Sequence, residues 1–241
     1  MGKAFVSVFD SEMKILGFKR SNSIYHKELS DKILGMLSYK EYGNGHELTI
    51  QFDLIPFCKG YKFIRFMDGS FFLSDIIKDF DPLVVDKREK SDAFHRLLDI
   101  CKDSVFPLFS LVTDYKSYLE YYKTVSGYEE VIANKTYPYP YIYSKMIPIA
   151  NVLLALREYN QVLLVLEASV KISEIAVDSQ SKSFKIDPKY TPAYPGYLER
   201  IKQYNQMKSL IALSDTPAIE SIIKKNERLS QESYYQVFGY E

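Results

Sequence analysis

Glu47-Leu48-Thr49-Ile50-Gln51-Phe52-Asp53-Leu54-Ile55-Pro56 alternates polar and apolar side chains from Glu47 to Leu54 before proline closes the run. Successive side chains of a strand point to opposite faces. Leu48, Ile50, Phe52 and Leu54 are therefore expected in a core, with Glu47, Thr49, Gln51 and Asp53 toward water. The expectation is a half-buried antiparallel strand. Just before it stands Tyr42-Gly43-Asn44-Gly45-His46, and Asn-Gly supplies the positive φ angles that a tight hairpin needs. The run Ile33 to Tyr39 is then its antiparallel neighbour.

Upstream, Phe5, Val8, Phe9, Met13 and Leu16 recur at helical spacing and predict an amphipathic opening helix. Gly17 follows the last apolar position, where a left-handed residue costs glycine little. Phe18 to Lys27 is non-helical in composition and reads as a first strand. Downstream, Tyr61 to Phe66 and Ser70 to Leu73 flank Asp68-Gly69, giving a fourth strand or a short hairpin, while Ser74 to Phe80 equally suits a short helix. The charged run Asp86 to Ser91 is the expected boundary.

Beyond that run the pattern turns helical. Phe94, Leu97, Leu98, Cys101 and Val105 form one apolar stripe, which Pro107 should end or kink. Tyr115, Tyr118, Leu119 and Tyr122 form a shorter amphipathic piece. Thr136 to Tyr143 carries two prolines and favours extended backbone. Ile149 to Ile175 reads as a helical pair or a broken helix, with Leu153, Leu156, Val162, Leu163 and Leu166 as core candidates. Lys182 to Gly196 reads as a loop and Tyr197 to Leu213 as a helix. Thr216-Pro217 is expected to cap a last helix through Leu229. No repeat of about 34 residues is present.

Composition narrows the function classes. The chain has 241 residues, 46% hydrophobic and 26% charged, which is an ordinary globular balance. Its 31 basic and 31 acidic side chains cancel, against the basic excess that phosphate contacts favour. Lys59, Lys62 and Arg65, interleaved with Tyr61, Phe63 and Phe66, read as the cationic solvent side of a strand more readily than as a nucleic-acid stripe. Cys58 and Cys101 fit neither a disulfide framework nor a zinc set, so no disulfide or metal is expected and a cytoplasmic setting is. No window approaches the ~20 apolar residues of a membrane span, no signal or acylation pattern is visible at the start, and the acceptor triplet Asn134-Lys135-Thr136 has no role in that setting. Tyr (21) and Phe (15) are abundant and Trp is absent, which suits a contact surface, a Tyr-rich core margin or AT-rich codon usage.

The motifs that announce chemistry are missing. Gly43-Asn44-Gly45 lacks the strand before and helix after it that a dinucleotide site requires, and reads as a hairpin. His95, Asp99 and Asp103 share helical spacing but lie off the apolar stripe, on a solvated face. His26 and His46 have no sequence neighbour to make either a base. No Ser elbow, phosphate loop or zinc helix occurs, so no catalytic residue and no cofactor is expected.

Leu16-Gly17-Phe18-Lys19-Arg20, Ile24-Tyr25, Leu48 to Pro56, and Leu97 to Phe109 with its embedded Pro107 together resemble a bacterial family of uncharacterised α+β domains. In that family a helix ending in Gly-Phe-Lys precedes an antiparallel meander. The resemblance covers about residues 3 to 125. Some members look like immunity proteins, which neutralise secreted polymorphic toxins, and the family carries no catalytic motif to transfer.

The expectation is thus an α+β protein: an opening helix and an antiparallel sheet of three to five strands over residues 1–86, then a helical region over 87–241 packed on it as one unit. The expected function is non-enzymatic binding of a protein, which the resemblance implies is a toxin, with no membrane and no nucleic acid. Glu47, Thr49, Gln51, Asp53, Tyr137, Tyr139 and Tyr141 are the candidate partner-binding residues. The alternative is an enzyme or small-ligand protein with a pocket between sheet and helices.

Overall fold

The computed structural model describes residues 2–43, 47–60, 71–85, 89–125, 149–187, 189 and 194–239. The quoted alternation forms β4 (Glu47–Pro56), and the preceding run forms β3 (Ile33–Tyr42). They pair antiparallel from Tyr42↔Glu47 to Ile33↔Pro56, as the Asn-Gly turn predicts, although Asn44, Gly45 and His46 lie outside the described residues. Phe18 to Lys27 gives two strands where one was expected. β1 (Lys19–Ser21) and β2 (Ile24–Glu28) form a hairpin whose two-residue turn places Asn22 at φ 57°. Asparagine tolerates that conformation better than most residues, which a hydropathy pattern does not register.

Two short strands complete a six-stranded antiparallel sheet among the described residues. β5 (Phe71–Phe72) and β6 (Leu83–Val84) both pair with β4, and the order is β1-β2-β3-β4-β5. The expected fold class is borne out: an opening helix, an antiparallel sheet, then a mostly helical region. Leu73 to Ile76 is the short helix α2. The segment 61–70 lies outside the described residues, and so do Lys62 and Arg65 of the cationic stripe.

The opening helix α1 (Gly2–Ile15) buries Phe5, Val8, Phe9 and Met13. Its end is closed by two bonds: the Phe18 N–H donates to the Met13 carbonyl at 2.8 Å and the Gly17 N–H to that of Lys14 at 2.9 Å. This arrangement needs a left-handed residue, and Gly17 supplies it at φ 79°. Helix α3 (Lys90–Ser104) buries Phe94, Leu97, Leu98 and Cys101. Pro107 ends it, and the chain restarts as α4 (Phe106–Leu111) with proline in the first turn. On the sheet face carrying Tyr25, Leu37, Tyr39 and Phe52, the Phe5 ring stands 5.7 Å from Tyr25, 4.9 Å from Tyr39 and 5.4 Å from Phe94. α5 (Tyr115–Val125) follows.

Residues 149–155 form α6, and α7 (Tyr159–Ile186) begins after a break at Arg157, where φ is 63°. The pair alternative is therefore the correct one. Of the expected core, Leu153, Val162 and Leu166 are buried, whereas Leu156 and Leu163 are only half-buried. The loop expected over Lys182 to Gly196 is shorter: α7 continues to Ile186 and α8 (Tyr194–Ala212) starts before Gly196. The last helix, α9 (Thr216–Phe238), outruns its expected end at Leu229, and its cap is Asp215, whose carboxylate accepts from the Ala218 N–H at 3.1 Å.

The chain divides into two compact units. The first comprises Met1–Phe57, Tyr61–Tyr118 and Leu229–Glu241; the second comprises Cys58–Gly60 and Leu119–Arg228. The division thus falls after Tyr118 and within α9, whereas the sequence suggested residue 86. Helices α3 and α4 stay with the sheet because their apolar stripes are part of its core.

Candidate functional site

The predicted partner-binding face of β4 is largely closed. Glu47 is exposed, but Thr49, Gln51 and Asp53 are only 2%, 3% and 1% exposed. The half-buried expectation is therefore corrected, since β4 is buried on both faces beyond its first residue. Part of the reason lies on the same face, where Leu34, Met36, Ile55 and Phe57 form a cluster with Tyr234 from the end of α9. Three side chains fasten that end. Ser230 Oγ donates to the Phe57 carbonyl at 2.8 Å, Gln231 Nε2 to that of Asp31 at 3.1 Å, and the Tyr234 hydroxyl meets His26 Nδ1 at 3.1 Å. Glu47 alone of the four remains at the surface, beside Val84 on β6 and opposite Tyr42 on β3. Tyr137, Tyr139 and Tyr141 lie outside the described residues.

In the second unit, the helical hairpin of α7 and α8 offers surface. All buried residues of α7 fall between Val162 and Ser173. Within α8, whose Arg200 side chain is not described, only Tyr204 is buried. Leu164, Ile175 and Ile186 are 50%, 58% and 83% exposed and recur every eleven residues. Eleven residues are close to three turns, so the three lie along one line about 33 Å long. Leu198 on α8 and Leu213 just beyond it are also exposed. Half of the exposed large apolar side chains among the described residues therefore sit on or beside this hairpin. Isolated surface leucines are ordinary; three apolar side chains spaced along one line of α7 make that line a candidate contact surface.

In the first unit, a cleft of about 280 Å³ opens between α1, β1, β2 and the end of α9. Asp10, Lys14, Lys19, Arg20, Ser21 and His26 supply its polar lining, with Phe18 and Phe238 as apolar walls. The hairpin β1–β2 builds it: Lys19 is opposite His26, so Lys19, Ser21 and His26 share a face. His26 is 2% exposed, stacked on Phe238 at 4.3 Å, and held by hydroxyls at both nitrogens, Tyr234 at 3.1 Å and Ser21 at 3.3 Å. A hydroxyl both donates and accepts, so either tautomer of the neutral ring is satisfied. Burial, reinforced by the Lys19 charge, lowers the His26 pKa to about 4. Burial pushes Tyr234 up to about 12, with Glu28 adding to it. At the rim, Lys14 at 2.6 Å and Arg20 at 3.2 Å hold the Asp10 carboxyl below its ordinary range.

His26 is the residue that sequence reasoning undervalued. Its two partners are five and 208 positions away, and only the folded register brings them together. His95 is exposed and bonds the Ser91 carbonyl of its own helix at 2.9 Å. Among the described residues no group of acidic, histidine or cysteine side chains could hold a metal, and no helix is long and apolar enough to cross a membrane. Compared with protein-family models, curated proteins and solved structures, the chain matches none.

Proposed function

We propose that this protein acts by binding another protein, without chemistry of its own, as a cytoplasmic immunity factor that neutralises a bacterial toxin. The observation that carries the reading is the α7–α8 hairpin, which presents Leu164, Ile175, Ile186 and Leu198 to solvent. A preformed apolar row rimmed by polar side chains suits occlusion of a partner's surface. The polar centre of the first unit supports the same view. A ring whose pKa is about 4 is a weak proton acceptor for Ser21, because a general base works best near the operating pH.

The test is co-expression with a toxin encoded beside this gene, read as growth protection and as a complex on gel filtration. Combining Ile175→Lys with Leu198→Asp should abolish both while leaving the thermal midpoint within a degree or two, since exposed substitutions change stability by about 0.5 kcal/mol or less. No complex with the wild-type chain sinks the immunity reading. Full protection by the double variant shows that the hairpin is not the contact.

A second reading, a small-ligand protein or an enzyme, is favoured by the cleft at His26, where several polar side chains converge. Saturating small molecules that shift the resonances of β1 would support it.

A further inference from the structure

The cleft at the free edge of the sheet carries more positive charge than its own side chains neutralise. Among the described residues, Lys14, Lys19 and Arg20 face it against the single carboxylate of Asp10, an excess of two. The C-terminal ends of α1 and α9 border the same space and oppose an anion with roughly −0.5 of a charge each. About one positive charge is left over among the described groups. Its location is specific. Asp10 is already shared by Lys14 and Arg20, Arg20 Nη1 donates to the Asn22 carbonyl at 3.0 Å, and the Lys19 ammonium has no hydrogen bond or ion pair among the described residues. Arg20 Nη2 likewise has no hydrogen bond or ion pair among the described residues.

Beside those donors stand the Ser21 hydroxyl, held toward His26 at 3.3 Å, and the ring of Phe238, fixed by stacking on His26. Because His26 is neutral, it orients Ser21 without adding a charge that would have to be matched. The volume, about 280 Å³, is at the lower end of ligand sites, which begin near ~300 Å³. That volume suits one ring and one anionic group.

We propose, resting on the second reading above, that this cleft binds a small phosphomonoester. The phosphate lies at the free edge of β1, against Lys19 and Ser21 from one face of the strand and Arg20 from the other, and its organic part lies against Phe238. A phosphate suits the site better than a carboxylate because its three oxygens meet donors from three directions, whereas a planar carboxylate meets two. An ammonium ligand is disfavoured by the charge excess.

The test is titration of the full chain with phenyl phosphate, benzoate and benzylamine, followed by backbone amide shifts and calorimetry. Phenyl phosphate should move the resonances of Lys19 to Ser21 and His26, bind more weakly as salt rises, and bind at least tenfold more tightly than benzoate. Lys19→Glu should weaken it at least tenfold and Lys224→Glu, an exposed position on α9, by less than twofold. Equal weakening by the two variants, or benzoate binding as tightly, overturns the proposal. If benzylamine alone binds the cleft, the phosphomonoester assignment fails and the small-ligand reading survives. If none of the three perturbs it, both fall.

Discussion

His26 makes the stability of the first unit depend on pH in a calculable way. Its ring is 2% exposed and its pKa falls from the ordinary 6.5 to about 4, chiefly through burial. The neutral ring is the form the fold accepts. Above pH 6.5 it is neutral folded or unfolded, so its contribution is intact. Between 6.5 and about 4 the unfolded chain takes up a proton that the folded chain refuses, and stability is lost as pH falls. Below about 4 both states are protonated and the loss is complete. At 1.36 kcal/mol per pKa unit, the loss is roughly 2 kcal/mol by pH 5 and roughly 3 kcal/mol by pH 4. The assay is urea unfolding at pH 7.5, 6, 5 and 4, followed by near-ultraviolet circular dichroism, which reports tyrosine in a chain without tryptophan. His26→Gln serves as reference, because the carboxylates that titrate in this range are common to both proteins. The variant should be less stable at pH 7.5, and the gap should close as pH falls. Parallel curves for the two proteins would refute the reasoning.

Two further outcomes follow from local geometry. Gly60 sits at φ 77°, and a Cβ there would come within 2.5 Å of Asn226 Oδ1, so Gly60→Ala should cost more than the ~1–2 kcal/mol of left-handed strain alone. Adding Asn226→Ala should recover part of that loss in thermal melts, although it gives up the bond to the Cys58 carbonyl; no recovery would show that the clash is not the cause. Cys101 is fully buried and burial pushes its thiol up, so it should resist a thiol reagent in the native protein and react on unfolding, as followed by mass spectrometry.

The elements legible in the sequence were those whose determinants are local. The alternation from Glu47 to Leu54 specifies β4, Gly17 specifies the end of α1, and Pro107 separates α3 from α4. Burial of Thr49, Gln51 and Asp53 was not legible, because strand periodicity states which side chains share a face and not what covers it. The His26 centre was hidden for the same reason: Ser21 is its diagonal neighbour only once the β1–β2 register is known, and Tyr234 arrives from another element. Shorter-range errors have other causes. Thr216 and Asp215 are both good caps, and the bond to Ala218 selects Asp215. The second half of α7 buries no residue after Ser173, so it carries no core stripe from which to extend the helix to Ile186.

The fastening of α9 onto the sheet also sets a timetable for the nascent chain. Phe57 and Ser230, which share a hydrogen bond, are 173 residues apart, and His26 and Tyr234 are 208 apart. At synthesis rates of 5–20 residues per second, roughly 10–40 s pass between the emergence of β2 and β4 and that of their cover. Throughout that interval Leu34, Met36, Ile55 and Phe57 lack the side chain of Tyr234 that completes their cluster. The half-built sheet is thus exposed to aggregation for longer than its own size implies, and its maturation waits on a segment encoded far downstream.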